Sequence, residues 1–246
     1  MTATGDASPE PPVIAERTIQ SVERAVAILG FFTPSRPRLS LADITARLDT
    51  SKSTAHRYTV ALRQRRMLRY DETTAEFTLG PSLLELEPAV HAGLPLLALA
   101  GPIMHQLSST LNETVVLSMW DDDSPVVVRV ADSSERVVRV SVRIGARPGA
   151  DSAQWRVFAA WSDVGRDTDE ADRRLVTSDG VAIGSASRHG VRAVAAPVRT
   201  ATGVVAALAV VGTTATIPDD PASAVARGAR SAAATLAEQL LRHGAA

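Results

Sequence analysis

Cysteine is absent from the chain, which excludes disulfides and cysteine-ligated zinc. The five histidines, His56, His91, His105, His189 and His243, stand far apart with no ligand spacing, so no metal site is expected. No apolar run approaches the roughly 18 residues that a membrane-spanning helix needs. The opening MTATGDASPEPP has neither the basic start nor the apolar core of a signal peptide. A cytoplasmic protein with no membrane partner is the expectation.

The sequence also lacks a G-x-S-x-G elbow, a P-loop and a metal triad. Ser152 or Ser187 with His189 would supply a nucleophile and a base, but no carboxylate is evident to orient the histidine. Gly180-Val181-Ala182-Ile183-Gly184 is too generic for a phosphate cradle and reads as loop glycine. Neither catalysis nor a cofactor is expected.

What is present fits two domains of ordinary size: 246 residues, 45% hydrophobic and 22% charged, enough apolar material for real cores. The net charge of -1 conceals an asymmetry. Residues 17–80 hold 11 Lys and Arg against 6 Asp and Glu, while residues 1–16 and 81–246 are each acidic by three charges. Affinity for nucleic acid comes largely from neutralising phosphates, so the basic segment is where a DNA-binding element belongs.

Within it, the pattern from Ser40 to Gly80 is two short helices, a tight turn and a basic hairpin. Residues 1–17 are rich in Pro, acidic and small side chains and should be disordered. Thr18–Phe32 follows as a helix with Val22, Ala25, Leu29 and Phe32 on one face. Ser40 can cap a second helix carrying Leu41, Ile44 and Leu48, and Ser51 a third running to about Arg65. In that third helix Ala55, Tyr58, Thr59 and Leu62 form the inward face, leaving Ser53, Arg57, Val60 and Gln64 opposite. Leu68–Tyr70 and Phe77–Leu79 make a wing around a polar tip. A winged helix-turn-helix places its second motif helix in the major groove, with the N-terminal half reaching base edges. The candidate DNA contacts are therefore Lys52, Ser53, Thr54, His56 and Arg57 on the helix and Arg69 on the wing. Lys52 is the single lysine among 26 basic residues, a placement consistent with a phosphate contact.

Beyond Gly80, Leu83 to Leu99 is apolar and punctuated by Pro88, Gly93 and Pro95, with Pro102 further on, arguing against one straight helix. Residues 81–95 read as a linker helix, its apolar surface suited either to a dimer contact or to burial against its own domain. Residues 96–246 alternate strands and helices. Val115–Trp120 with Val126–Val130, and Val191–Val198 with Val204–Val211, are the predicted hairpins, and Val137–Ile144 a further strand. Ser152–Trp161 and Pro221–His243 are the predicted helices, with Asp163–Asp172 as acidic loop. The fold class is α+β with an antiparallel sheet.

SVERAVAIL, KSTAHRYTVAL, RRMLRYDETTAEFTLGPSLLEL and GVRAVAAPV occur in that order, and together they resemble the IclR family of transcription regulators. The likeness covers most of the chain. It implies an N-terminal winged helix-turn-helix at 18–80, a linker helix and a GAF-like effector domain at 96–246. It also implies a homodimer or homotetramer, a double-stranded DNA operator and a small-molecule effector. In members that bind glyoxylate or pyruvate, the pocket draws polar side chains from an Asp, a Cys and two Ser. The matching positions here are Ile183, Ala193, Ala209 and Val211, all apolar. The helix that usually begins HATALGKAL is altered to DSAQWRVFAAW, bringing in Trp155 and Arg156, and the stretch from Ser162 to His189 is shortened.

An apolar pocket cannot offset the desolvation of a short carboxylate. The resemblance thus implies a larger, partly hydrophobic metabolite, aromatic, lactone-like or derived from an amino acid, with Arg147, Arg156 or Arg192 as anion partners. The alternative is an adaptor that binds DNA or protein without a ligand and keeps a vestigial pocket. Repression and activation are equally compatible with these residues.

Overall fold

The structure is a computed structural model that describes residues 19–132, 140–161, 170–186 and 190–244. The expected disordered tail, Ser187 and His189 lie outside the described residues. The chain divides after Ala89 into two compact units.

In the first unit the order is α1 (Gln20–Gly30), β1 (Leu39–Ser40), α2 (Leu41–Leu48), α3 (Lys52–Gln64), β2 (Leu68–Asp71), β3 (Glu76–Leu79) and α4 (Ser82–Glu85). Ile28, Phe32, Leu39, Ile44, Ala55, Leu62, Leu68 and Phe77 make its core. One expectation is corrected on α1. Its buried centre is Ile28, with Ala25 and Leu29 packed partly buried beside it, whereas Val22 is 57% exposed. Six residues separate Val22 from Ile28, about 120° around the helix axis at 100° per residue. Ala25 is about 60° from Ile28 on the same count and stays at the core. Val22, further round and in the first turn, leaves it.

Capping sets the geometry between α2 and α3. The Asp43 N–H donates to Ser40 Oγ at 3.1 Å and the Ser40 N–H donates to Asp43 Oδ2 at 2.9 Å, a reciprocal box. The Ser40 hydroxyl, donating to Asp43 Oδ2 at 2.6 Å, and then the Ser40 N–H hold the Asp43 carboxyl below its ordinary pKa. That contribution is complete above the usual carboxylate range and fades as pH falls through the lowered value. α2 ends with Asp49 in the left-handed region at φ 47°, and two residues later Ser51 caps α3 by accepting the Thr54 N–H. Ser40→Ala should destabilise the chain by about 1 kcal/mol, read as a lower urea midpoint at unchanged slope. An unchanged midpoint would mean that water caps the helix equally well.

The wing pairs Leu68 with Leu79 through to Asp71 with Glu76, so its tip is only residues 72–75. Asp71 Oδ1 accepts the N–H groups of Thr73 and Thr74 there. β1, which the sequence pattern missed, adds a third strand by pairing Leu39 with Phe77.

In the second unit α6 (Pro95–Leu111) follows α5 (Glu87–Gly93), which spans the division. The break falls at Leu94, whose backbone is pushed from helical values ahead of Pro95. Pro102 is accommodated inside α6. The remaining elements are β4 (Thr114–Asp121), β5 (Ser124–Ala131), α7 (Ala153–Trp161), α8 (Glu170–Asp179), β6 (Ala182–Ala186), β7 (Val191–Thr200), β8 (Gly203–Thr213) and α9 (Ala224–Arg242). The strands form an antiparallel sheet in the order β5-β4-β8-β7-β6.

Strand alternation sorts the side chains to two faces. Val115, Leu117, Val194, Leu208 and Val210 pack with α6 and α9, whose Val225, Ala229, Leu236 and Leu240 are in this core. Val116, Ala195, Ala207, Ala209 and Val211 face α7, with Val157 and Phe158 against them.

Three expectations change here. Residues 137–139 of the expected strand lie outside the described residues, and Val140–Ile144 is irregular, with Ile144 68% exposed. The β5 backbone at Val127 is bonded instead to a turn, accepting from Gly145 N–H at 2.7 Å and donating to Ala146 O at 2.9 Å. Glu170–Asp172, expected as loop, opens α8; Ala182–Gly184, the end of the stretch read as loop, belongs to the edge strand β6. Short polar helices and short edge strands have weak periodicity, so neither stands out from a loop in sequence.

Candidate functional site

Two surfaces combine the predicted functional residues. The first is the outer face of α3. Ala55, Thr59 and Leu62 are buried, and Lys52, Ser53, His56 and Arg57 are exposed. Ser53 and Thr54 are partly committed, since the Ser51 hydroxyl lies 3.0 Å from Ser53 Oγ and 2.9 Å from Thr54 Oγ1. These bonds fix the first turn of the helix and leave Lys52 and Arg57 to project from it.

Three neighbouring cations are occupied. Arg38 pairs with Asp71 at 3.3 Å, Arg66 pairs with Glu85 at 3.2 Å, and Arg63 lies over the Tyr70 ring at 5.1 Å. Lys52, Arg57 and Arg69 make no ion pair among the described residues. An exposed, unpaired cation is free to meet a phosphate or a base edge without first breaking an internal contact. Arg69 stands apart from the other five, on β2 of the wing.

The second surface is a cavity of about 290 Å³ in the second unit. Its floor is a row of residues in register across three strands: Gly184 opposite Ala193, and Ala193 opposite Val211. Thr114 continues the row opposite Val211, and its hydroxyl donates to Val140 O at 3.0 Å, tying the 140–146 segment over the floor. Val140, Val142 and Ala146 form one wall. The other is the first turn of α7, with Ser152, Ala153 and Gln154. Ser152 caps that helix by accepting the Trp155 N–H at 3.1 Å. Gly184 is required for the close approach, because a Cβ there would lie 2.3 Å from Ala153 N.

Of the residues expected in a ligand pocket, Arg147, Ala193 and Val211 line this cavity; Trp155, Arg156, Ile183 and Ala209 do not. Each displacement has a physical cause. Ile183 is one residue from Gly184, and a one-residue step on a strand reverses the face, so Ile183 packs toward the α6 and α9 side. Ala209 is on the correct face but buried beneath α7. Trp155 is stacked edge-on against Trp120, with centroids 5.2 Å apart, and Phe158 contacts the same ring at 5.5 Å.

The cations are spoken for as well. Arg156 donates to Asp172 from two nitrogens and to the Ile183 carbonyl, joining α7, α8 and β6. Arg192 donates to Ile217 O at 3.0 Å and meets Asp219 at 3.6 Å. Arg147, at the cavity mouth, is held by the Asp121 carboxylate, by Ser124 Oγ at 2.7 Å and by Asp123 at 3.5 Å. Sequence reasoning missed Gln154, Val140 and Val142. The two valines fell in a mispredicted strand, and a glutamine on a helix carries no signature of its own.

Among the described residues there is no group of three or more His, Asp or Glu able to hold a metal ion, and no single helix is long and apolar enough to cross a membrane.

Comparison with known proteins adds family context. Residues 21–72 match the profile of the IclR helix-turn-helix domain. The glycerol operon regulatory protein of Streptomyces coelicolor is 29% identical over 165 residues. That match covers 65% of this chain and 64% of the relative, under two thirds of the relative's own length. A transcriptional regulator from Rhodococcus sp. RHA1 superposes with a TM-score of 0.75 at 25% identity, covering 92% of this chain and 100% of that one. An IclR homologue from Microbacterium hydrocarbonoxydans, solved in complex with 4-hydroxybenzoate, has a TM-score of 0.75 at 22% identity, covering 90% and 99%, and shows the shared fold.

Proposed function

We propose that the chain is an IclR-type, DNA-binding transcription regulator whose second unit senses a small, partly hydrophobic metabolite, a reading supported by the match of residues 21–72 to the IclR helix-turn-helix domain. The observation that carries this reading is the α3 surface: a capped helix turning Lys52, Ser53, His56 and Arg57 to solvent, with its opposite face locked in the core. A helix retained only for packing has no need of two unpaired cations at its N-terminal end.

Homodimerisation belongs to the same proposal. Leu84 is 70% exposed and Leu86 also open to solvent, as are Ile19, Val22 and Val26 in the same unit. Apolar surface of this kind is suited to a two-fold contact, which would present two recognition helices to one DNA face. Glyoxylate and pyruvate fit the cavity poorly, because its floor of Gly184, Ala193 and Val211 supplies no side-chain hydrogen bond. A ligand controls DNA affinity to the extent that it binds one of two conformations better.

Selection of binding sites from random duplexes by the full chain tests the reading. Enriched sites should be two-fold symmetric, with half-sites about one helical turn or a multiple apart, and sedimentation should show at least a dimer at micromolar protein. Absence of any enriched sequence would overturn DNA recognition. A monomer that still protects a palindrome would overturn the dimer.

A further inference from the structure

The cavity in the second unit is lined by a buried polar side chain without an evident task. Gln154 is 5% exposed, lines the cavity, and its side chain makes no hydrogen bond among the described residues. Buried primary amides are rarely left without partners, since desolvating the carbonyl and the NH2 is costly. A water would need two or more polar contacts to stay. Of the other lining residues Val127, Val140, Val142, Ala193 and Val211 provide none from their side chains, and the polar Arg147 and Ser152 are engaged elsewhere.

We propose that Gln154 is the specificity-determining group of this cavity, selecting an uncharged, ring-sized ligand that presents a hydrogen-bond donor beside an acceptor, as a primary carboxamide does. The inference rests on the sensing reading above and narrows the ligand class. A glutamine amide offers one carbonyl acceptor and two N–H donors, so a ligand carboxamide can satisfy both ends at once. The ring then lies on the alanine and valine walls.

Charge argues against a carboxylate in the same place. Arg147, the cation at the mouth, is already bound by Asp121, Asp123 and Ser124. Arg156 is bound to Asp172 and lies outside the cavity. Asp151, also lining it, adds a negative charge beside the first turn of α7. The positive end of the α7 dipole favours an anion, but Ser152 already caps that turn and Asp151, the residue before it, lines the same cavity with a like charge. A carboxylate entering here would lose its hydration and meet an amide, a helix end and a like charge.

Calorimetry on the full chain with benzamide, benzoate and benzamidine as probes tests this. Benzamide should bind at least ten times more tightly than benzoate. Gln154→Leu, similar in size and apolar, should lose at least tenfold in benzamide affinity. Gln154→Glu should transfer the preference to benzamidine, whose amidinium matches a carboxylate bidentately; a merely structural glutamine would give no such exchange. Benzoate binding as tightly as benzamide, or unchanged benzamide affinity in Gln154→Leu, overturns the proposal and leaves the cavity as a ligand site. No binding of any probe at millimolar concentration overturns it too. Benzamide that binds through Gln154 yet leaves DNA affinity unchanged sinks the sensing reading and leaves this recognition standing.

Discussion

Arg57→Ala should lower affinity for a selected operator roughly 5- to 150-fold, the factor equivalent to the 1–3 kcal/mol of a bidentate arginine–base contact, while affinity for random duplex changes far less. Arg57 sits in the N-terminal half of α3, exposed and without an ion pair among the described residues, so its guanidinium is available to a base edge. Lys52, at the first position of the helix, is placed for a phosphate. Lys52→Ala should therefore weaken all sequences alike and reduce the slope of log affinity against log salt by about 0.9. Fluorescence anisotropy on selected and scrambled duplexes across a salt series separates the two. An equal loss on both duplexes for Arg57→Ala would reassign that residue to the backbone.

Gly184→Ala should be the most damaging single-methyl change in the second unit, destabilising it by about 3 kcal/mol or more. Overpacking a core usually costs roughly 1–3 kcal/mol because side chains can shift. Here the added carbon would sit 2.3 Å from Ala153 N and 2.8 Å from Ser152 C, both backbone atoms of the α7 start. Relief requires α7 to move off β6, and Arg156 resists that by bonding the Ile183 carbonyl and Asp172 together. The same displacement would deform the wall of the cavity, so binding of the probes proposed above should fall with stability. Gly93→Ala is the control: a Cβ at that position would meet nothing within 4 Å, and the residue is exposed at the end of α5, so stability should hold or rise slightly. Equal thermal midpoints for the two variants would show that α7 and β6 are not in close contact in solution.

How much of this was legible in the residues differs between the two units. The α3 face could be read directly, because a helix obeys a local period: once Ser51 is taken as the cap, Ala55, Thr59 and Leu62 must turn one way and Ser53 and Arg57 the other. The hairpin registers of β2 with β3 and of β7 with β8 are local in the same sense, each set by a short turn. The described part of the expected strand, Val140–Ile144, is irregular for the opposite reason. Its alternation of valine and arginine satisfies the strand period, but whether such a stretch joins a sheet depends on an open edge. The outer side of β5 is bonded at Val127 to the turn at Gly145 and Ala146 instead.

The cavity shows the limit most clearly. Ala193 and Val211, singled out from residue type and order, line it, whereas Ile183 stands one residue from Gly184, which does. Which member of the Ile183–Gly184 pair faces the cavity is decided by the pairing of Gly184 with Ala193, a contact between strands that no local pattern encodes. Charge pairing was equally hidden: only packing reveals that acidic partners already meet Arg147, Arg156 and Arg192. The longer amphipathic helices, the basic face and the apolar character of the pocket floor were written in the chain, since these follow from side-chain chemistry repeated at short range. That Gly184 admits α7, that Gln154 is buried beside the cavity and that the cations are neutralised emerged only on folding, because burial and pairing depend on which distant segments meet.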